Sequence, residues 1–291
     1  MLFLLAAVAG TAHAAERTDA RAGVAVGAQY DTTHVYVNPA GIDAFVTSFV
    51  STFGGRASPR IVANVLPVAS STQAQYVWTP FGTLSTFAFL TPIPAPFGFE
   101  RTGYLVTDMD AAIAQARAAG AEVVVAPFKD PIGLDAVIRW PGGVMMQLYW
   151  HFKAPDYPPL TTIPENRVYV SADAVEAFLR GFLRFSHGRI VSDERRADAG
   201  EIGRSGESYR RVRVESTFGR MQVMVTDGHL PYPFAHEMTG YEVKDLDALL
   251  ARAKASGARV LVEPFRARDR VTAMLAFPGD YIAEIHAAVA P

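Results

Sequence analysis

The feature that most constrains this chain is that it writes one sentence twice. TGYLVTDMDAAIAQARAAGAEVVVAPF begins at Thr102 and TGYEVKDLDALLARAKASGARVLVEPF begins at Thr239, an offset of 137 residues. The second copy runs on in step, since Trp140-Pro141-Gly142 is matched by Phe277-Pro278-Gly279. A fainter repeat precedes each copy: HVYVNPAGIDAFVTSF from His34 parallels RVYVSADAVEAFLRGF from Arg167. PIPAPFGFE (92–100) and LPYPFAHE (230–237) share Pro-x-Pro-Phe and a closing Glu. Self-similarity at fixed spacing means copies of one supersecondary unit, so the unit must be read before the whole.

The unit is legible from local physics. TGYLV is a short β-rich run with alternating character. Asp108 or Asp110 can cap a following helix, because a carboxylate there accepts otherwise orphan N–H groups. Ala111–Ala119 is a strong helix former with Ile113 and Ala116 on one face. Gly120 ends it, where a left-handed backbone is easiest. EVVVAPF, DAVIRW and VMMQLYW read as three more strands, the last two parted by a Pro-Gly-Gly turn. The order is βαβββ. The fainter copies repeat it, with His34–Val37 a strand, Ile42–Phe53 a helix and three strands before Pro92. The expected fold is therefore α+β, with four βαβββ modules in series.

The chain has 291 residues, enough for two domains, and half of them are hydrophobic, enough for a packed core. Residues 1–15 hold an apolar run, LFLLAAVAG, followed by Ala12-His13-Ala14, the pattern of a signal peptide. The expected layout is that leader, a first half at 29–153 (modules 29–97 and 98–153), a proline-rich linker at 154–165 and a second half at 166–291 (modules 166–234 and 235–291). A periplasmic or secreted location follows, with no membrane attachment once the leader is cut. The formal charge of −2, with signs interspersed, gives no surface for nucleic acid. The absence of cysteine excludes disulfides, thiolate metal sites and a thiol nucleophile. The expected partner is a small molecule, with the protein a monomer or a homodimer.

Val-x-Asp-x-Asp-Ala-Ala at 106–112, Ala-Gly-Ala at 119–121 and the late WPGGVMMQLYW and FPGDYIAEIHA resemble the vicinal oxygen chelate superfamily of glyoxalases, bleomycin-resistance proteins and extradiol dioxygenases. The resemblance spans roughly residues 30–288. It implies that modules pair and that their sheets curve into two cups. It also implies that a divalent metal (Fe, Zn, Mn or Ni) and a small oxygenated or aromatic substrate sit there, with metal ligands on the first and last strands of each module. The activity implied is a metal-dependent lyase, isomerase or dioxygenase, and the alternative is non-catalytic sequestration of a small molecule.

Which residues take the ligand positions depends on the pairing. Counting back nine residues from the helix-start acids Asp43, Asp110, Glu176 and Asp247 gives His34, Arg101, Arg167 and Met238; the strong last strands offer Gln147 and Glu284. If consecutive modules pair, one cup has His34, Arg101 and Gln147 and the other Arg167, Met238 and Glu284, and neither is a metal site. If modules one and four pair, as in monomeric four-module glyoxalases of the superfamily, His34 joins Glu284, with His236 reaching in from two residues before Met238. That second pairing is the expectation adopted, with His34, His236 and Glu284 as metal ligands and Glu284 catalytic. Arg101, Gln147 and Arg167 would contact substrate or an anion, and Tyr36, on His34's face, would line the pocket. His34 is otherwise a hydrogen-bonded strand residue, and Glu284 otherwise a buried ion pair with an arginine of the facing module. His286 shares Glu284's face as a ligand or a donor to it. Glu100 and Glu237 face away from the cups by strand alternation.

Overall fold

A computed structural model describes residues 23–65, 67–100 and 102–289. The leader at 1–15 and Arg101 lie outside the described residues. Module one comprises β1 (Thr33–Tyr36), α1 (Ile42–Phe53), β2 (Arg56–Ala57), β3 (Ile61–Ala63), β4 (Thr72–Thr79) and β5 (Gly82–Phe89). Module two comprises β6 (Gly103–Leu105), α2 (Met109–Ala118), β7 (Glu122–Lys129), β8 (Gly133–Arg139) and β9 (Met145–His151). Module three comprises β10 (Glu165–Ser171), α3 (Val175–Ser186), β11 (Arg189–Asp198), β12 (Ser208–Ser216) and β13 (Gly219–Thr226). Module four comprises β14 (Met238–Glu242), α4 (Leu246–Ala255), β15 (Arg259–Ala267), β16 (Arg270–Ala276) and β17 (Ile282–Ala288). The fold is α+β, with the four modules forming two curved-sheet cups. None of the described helices is long and apolar enough to cross a membrane.

The repeated sentence folds the same way twice. Asp108 caps α2 through its carboxylate to Ala111 N at 2.7 Å, and Asp245 caps α4 through Ala248 N at 2.9 Å. Gly120 and Gly257 follow with φ of +95° each, the conformation that closes a helix and that only glycine takes at little cost.

The pairing differs from the one adopted from sequence. β10 runs antiparallel to β14, with Arg167 opposite Met238 and Glu165 opposite Gly240, and this joins modules three and four into one eight-stranded sheet, β11-β12-β13-β10-β14-β17-β16-β15. Modules one and two meet through the Thr33–Thr102 bridge, with Gly103 N donating to Thr32 O at 3.3 Å, so the first cup is a five-stranded and a four-stranded sheet touching at one point. Consecutive modules therefore share cups.

Modules one and four do meet, but back to back. α1 packs on α4, where Arg252 Nε donates to Thr52 O at 3.0 Å and the Ser48 and Ser256 hydroxyls lie 3.3 Å apart. Val35, Phe45 and Phe49 share one core with Tyr241, Leu249 and Leu275. Tyr104, Ile113 and Trp140 of module two share another with Phe178, Phe185 and Val223 of module three. At that second contact, a Cβ on Gly181 would lie 2.5 Å from Ala119 O, so the glycine sets how closely α3 approaches the end of α2. Because strand side chains alternate, burying Val35 and Tyr241 on the helix side turns His34, Tyr36 and Gly240 towards the cups.

Candidate functional sites in the two cups

The second cup holds Arg167 and Glu165 on β10, Glu284 and His286 on β17, and Arg270 and Thr272 on β16, all buried. Arg270 grips Glu165 with two nitrogens, at 2.9 Å to Oε1 and 3.2 Å to Oε2. Glu284 accepts from the Thr272 hydroxyl on one oxygen and faces His286 Nδ1 at 2.8 Å on the other. Arg167 lies between the carboxylates, 3.6 Å from Glu284 and 3.9 Å from Glu165. Burial alone would raise the Glu284 carboxyl, but His286, Arg167 and Arg270 together hold it well below the usual carboxylate range. Glu165 is held down by Arg270 and His286 against the same burial. A Cβ on Gly240 would sit 2.5 Å from Glu284 Oε2, so the bare backbone of β14 is what gives Glu284 its place.

The mouth of this cup is also filled. The 3₁₀ turn Ala199–Ile202 carries Glu201 inward to Arg211, and Tyr209 donates to Glu201 at 2.7 Å. Phe234, Met238 and Met274 form an apolar cluster beside them. Across the rim, Arg268 pairs with Glu194, and Arg213 reaches both oxygens of Asp269 at 2.7 and 2.8 Å. These pairs tie β11 and β12, at one end of the eight-stranded sheet, to the turn before β16 near the other.

Glu165, Glu284 and His286 place ligand atoms within 4.8 Å of one another, the single such group among the described residues. Their surroundings do not fit a divalent cation. Both oxygens of Glu165 and both of Glu284 are engaged, and the two guanidiniums already neutralise the two carboxylates. An added cation would be repelled by Arg167 and Arg270 in a medium that screens little. The alternative stated for Glu284, a buried pair with an arginine of the facing module, is the arrangement present.

The sequence-expected metal set does not assemble. His34 is in the first cup, beside Glu100 and Gly103; Glu284 is in the second. His236 is exposed in the turn before β14, edge-on to Tyr232 at 5.9 Å. The reason is the consecutive pairing, which sets β14, and β17 with it, against β10 and not against β1. Gln147 donates to Asp135 at 3.1 Å and remains in the first cup. Arg167 lies in the second cup as a partner of carboxylates, not of a ligand.

The first cup is electrostatically different. His34 Nδ1 lies 3.8 Å from Glu100 Oε1, and Tyr36 donates to that same oxygen. Glu100 thus turns into the cup, against the alternation expected of it, because it precedes β6 in a loop and strand register does not bind it. Asp31 accepts from Ser85, and Tyr149 donates to the Asp31 carbonyl. Burial pushes the Asp31 carboxyl up to about 6 against the pull of His34 and Ser85. Burial and Asp130 push Asp135 up to about 7 against Gln147 and His34. His34 is raised: burial works against its charged form, but Glu100, Asp31 and Asp135 outweigh that. Asp31 Oδ1 and His34 Nδ1 are buried with no hydrogen-bond partner. Half-buried rings, Tyr36 stacked on Phe87 at 5.5 Å and Tyr76 on Trp78 at 5.9 Å, line the adjoining wall.

Asp31 and Asp135 were not read from the sequence as site residues. Asp31 precedes the first strand outside the aligned repeat, and Asp135 sits in the apolar strand word DAVIRW, where a carboxylate in a half-buried strand was the available signal.

No protein-family model matches the sequence, and no curated protein matches it. Solved structures do match in shape. A variant of 4-hydroxymandelate synthase from Streptomyces coelicolor superposes with a TM-score of 0.62 at 13% identity, over 89% of this chain and 93% of that one. A 2,3-dioxygenase from Pseudomonas sp. KL28 gives 0.56 at 10%, over 92% and 94%. A Mn(II)-bound glyoxalase from Novosphingobium aromaticivorans gives 0.53 at 12%, over 91% and 83%. The chain has the vicinal oxygen chelate fold, and at these identities the likeness speaks for fold alone.

Proposed function

We propose that the chain binds a small oxygenated or aromatic molecule in the first cup, without a metal ion. One contrast carries the reading. The second cup sets two guanidiniums against its two carboxylates, whereas the first sets Asp31, Asp135 and Glu100 around the single imidazole of His34, beside a half-buried aromatic wall. Titratable groups raised by burial, next to ring faces, are the ingredients of a small-molecule site. The metal-dependent lyase or dioxygenase implied by the resemblance would have to use Glu165, Glu284 and His286, whose carboxylates Arg167 and Arg270 already neutralise. Elemental analysis after incubation with Fe(II), Zn(II) and Mn(II), paired with thermal shift against aromatic alcohols and acids, tests the reading. Stabilisation by an organic compound with no bound metal supports it; stoichiometric metal, lost in Glu284→Gln, refutes it.

A second reading is proton transfer in the same cup. The carboxyls of Asp31 and Asp135, lifted to about 6 and about 7, stand near His34 and are poised to exchange protons near neutral pH. In that case His34→Gln would abolish turnover of a bound compound and leave its binding within a few-fold. Export, suggested by residues 1–15, forms part of the same proposal.

A further inference from the structure

The linker between the halves does more than span them. Residues 152–164 contain no helix or strand, and they cross the first cup. Tyr157 leaves this segment and packs among three rings of module one and its approach: Trp78 at 5.6 Å between centroids, Tyr30 at 5.8 Å and Tyr76 at 6.0 Å. Two of those contacts are edge-on and one is tilted, the geometries that a single aromatic guest adopts in an aromatic surround. The Tyr157 hydroxyl also comes within electrostatic reach of Asp31, and Tyr149, whose hydroxyl contacts the Asp31 carbonyl, feels Tyr157 in turn. The ring therefore comes from outside the modules and packs on the aromatic wall of the first cup.

The segment is lightly held. Phe152 N donates to Ile132 O at 3.0 Å at one end, and at the other Ile163 packs where a Cβ on Gly219 would lie 2.6 Å from it. Between them, among the described residues, the backbone makes one hydrogen bond to the rest of the protein, Leu160 N to Gln29 O at 2.7 Å. Segments with few buried contacts and few backbone bonds open at low cost. The Trp78 indole Nε1, buried without a partner, adds a second polar atom that this packing leaves unsatisfied.

We propose that the Tyr157 segment is a removable plug of the first cup, and that Tyr157 stands in for the ligand: a flat, uncharged aromatic ring seated among Trp78, Tyr30 and Tyr76. This rests on the first cup being the binding site. A ligand must displace the plug, so the apparent affinity of the intact protein is lowered by the fraction of molecules in which the cup is closed.

The experiment uses 4-methylphenol, the side chain of tyrosine as a free molecule, titrated by calorimetry into wild type, Tyr157→Ala and Tyr157→Ala/Gly103→Leu. The last variant crowds His34 from β6 and leaves the plug site empty. The expected result is binding to Tyr157→Ala at least tenfold tighter than to wild type, lost in the double variant. Equal binding to wild type and Tyr157→Ala, or binding to neither, overturns the plug. Equal binding that the double variant abolishes does so while leaving the first cup as the site. Tighter binding to Tyr157→Ala that survives Gly103→Leu overturns the first cup as the site and the plug with it. Circular dichroism and thermal melts of each variant separate loss of binding from loss of folding.

Discussion

Glu284 was expected to be worth most as a metal ligand; the structure makes it worth most as half of a buried ion pair. Replacing it with Gln keeps the shape and removes the charge that faces Arg167 at 3.6 Å and His286 at 2.8 Å. Breaking a buried pair from one side costs about 3–5 kcal/mol, because the surviving charge stays in low dielectric. Glu165, 3.9 Å from Arg167, remains to offset part of it, which places the expected loss near 3 kcal/mol. For a chain of this size that is a fall in melting temperature of roughly 5 °C. Glu284 has a depressed folded-state pKa, so its contribution is fully present above the unfolded value of about 4.3 and is lost as pH falls through the folded value. The gap between wild type and Glu284→Gln should therefore be flat from pH 8 to 6 and close only in acid. The partner test is Arg167→Met/Glu284→Leu, which replaces both charges with apolar groups beside Met238, Met224 and Met274. The double variant should be more stable than the sum of the two single losses by about 1–3 kcal/mol. Urea denaturation of wild type, Glu284→Gln, Arg167→Met, Glu284→Leu and the double variant, with EDTA and again with Mn(II) or Fe(II), measures this. A loss below about 1 kcal/mol, or wild-type stabilisation by metal that Glu284→Gln lacks, would refute the reasoning.

Three further outcomes are expected. Gly103→Ala and Gly240→Ala should each cost about 1–3 kcal/mol by overpacking, since the new Cβ would lie 2.7 Å from His34 Nε2 in one case and 2.5 Å from Glu284 Oε2 in the other; thermal melts at wild-type values would show that the cups yield. Asp31, lifted to about 6 by burial, stabilises the fold below its unfolded pKa and loses that contribution as pH rises through 6. Wild type should therefore lose about 1–3 kcal/mol relative to Asp31→Asn between pH 4 and 8, and parallel stability profiles would contradict it. Mature protein from the native host should begin at or near Ala15, and Edman sequencing that finds Met1 on correctly localised protein would count against export.

The sequence carried the modules well because each is written in local chemistry. Asp108 and Asp245 cap, Gly120 and Gly257 stop, and apolar alternation marks the strands; none of this needs knowledge of distant residues. The pairing of modules is not local. His34 aligns equally well with a strand beside β6 or one beside β17, and the choice is made by contacts far apart in sequence, the β10–β14 ladder, the Thr33–Thr102 bridge and the helix packing. α1 and α4 bring modules one and four together through Phe45, Phe49 and Leu249, so the affinity between those modules is real but is spent on their outer faces. Asp31 escaped notice for a related reason: what marks it is a buried neighbourhood assembled from Ser85, Tyr149 and His34, which lie up to 118 residues away.

The duplicated Thr-Gly-Tyr is where fold and site meet. Tyr104 and Tyr241 point to the helix-side cores, and Gly103 and Gly240 point to the cups. A glycine at that place is required twice because each cup fills the space over it with a charged or ionisable side chain, His34 in one and Glu284 in the other. The rest of each cup then diverged in charge. Around Gly240 two carboxylates meet two arginines and the group is closed. Around Gly103 the described side chains that carry charge are acids and one imidazole, and two of the acids are raised towards neutrality. Two copies of one backbone thus separate a cup that stabilises the protein from a cup able to receive something else, and the sequence keeps the shared glycine while changing nearly every polar residue around it.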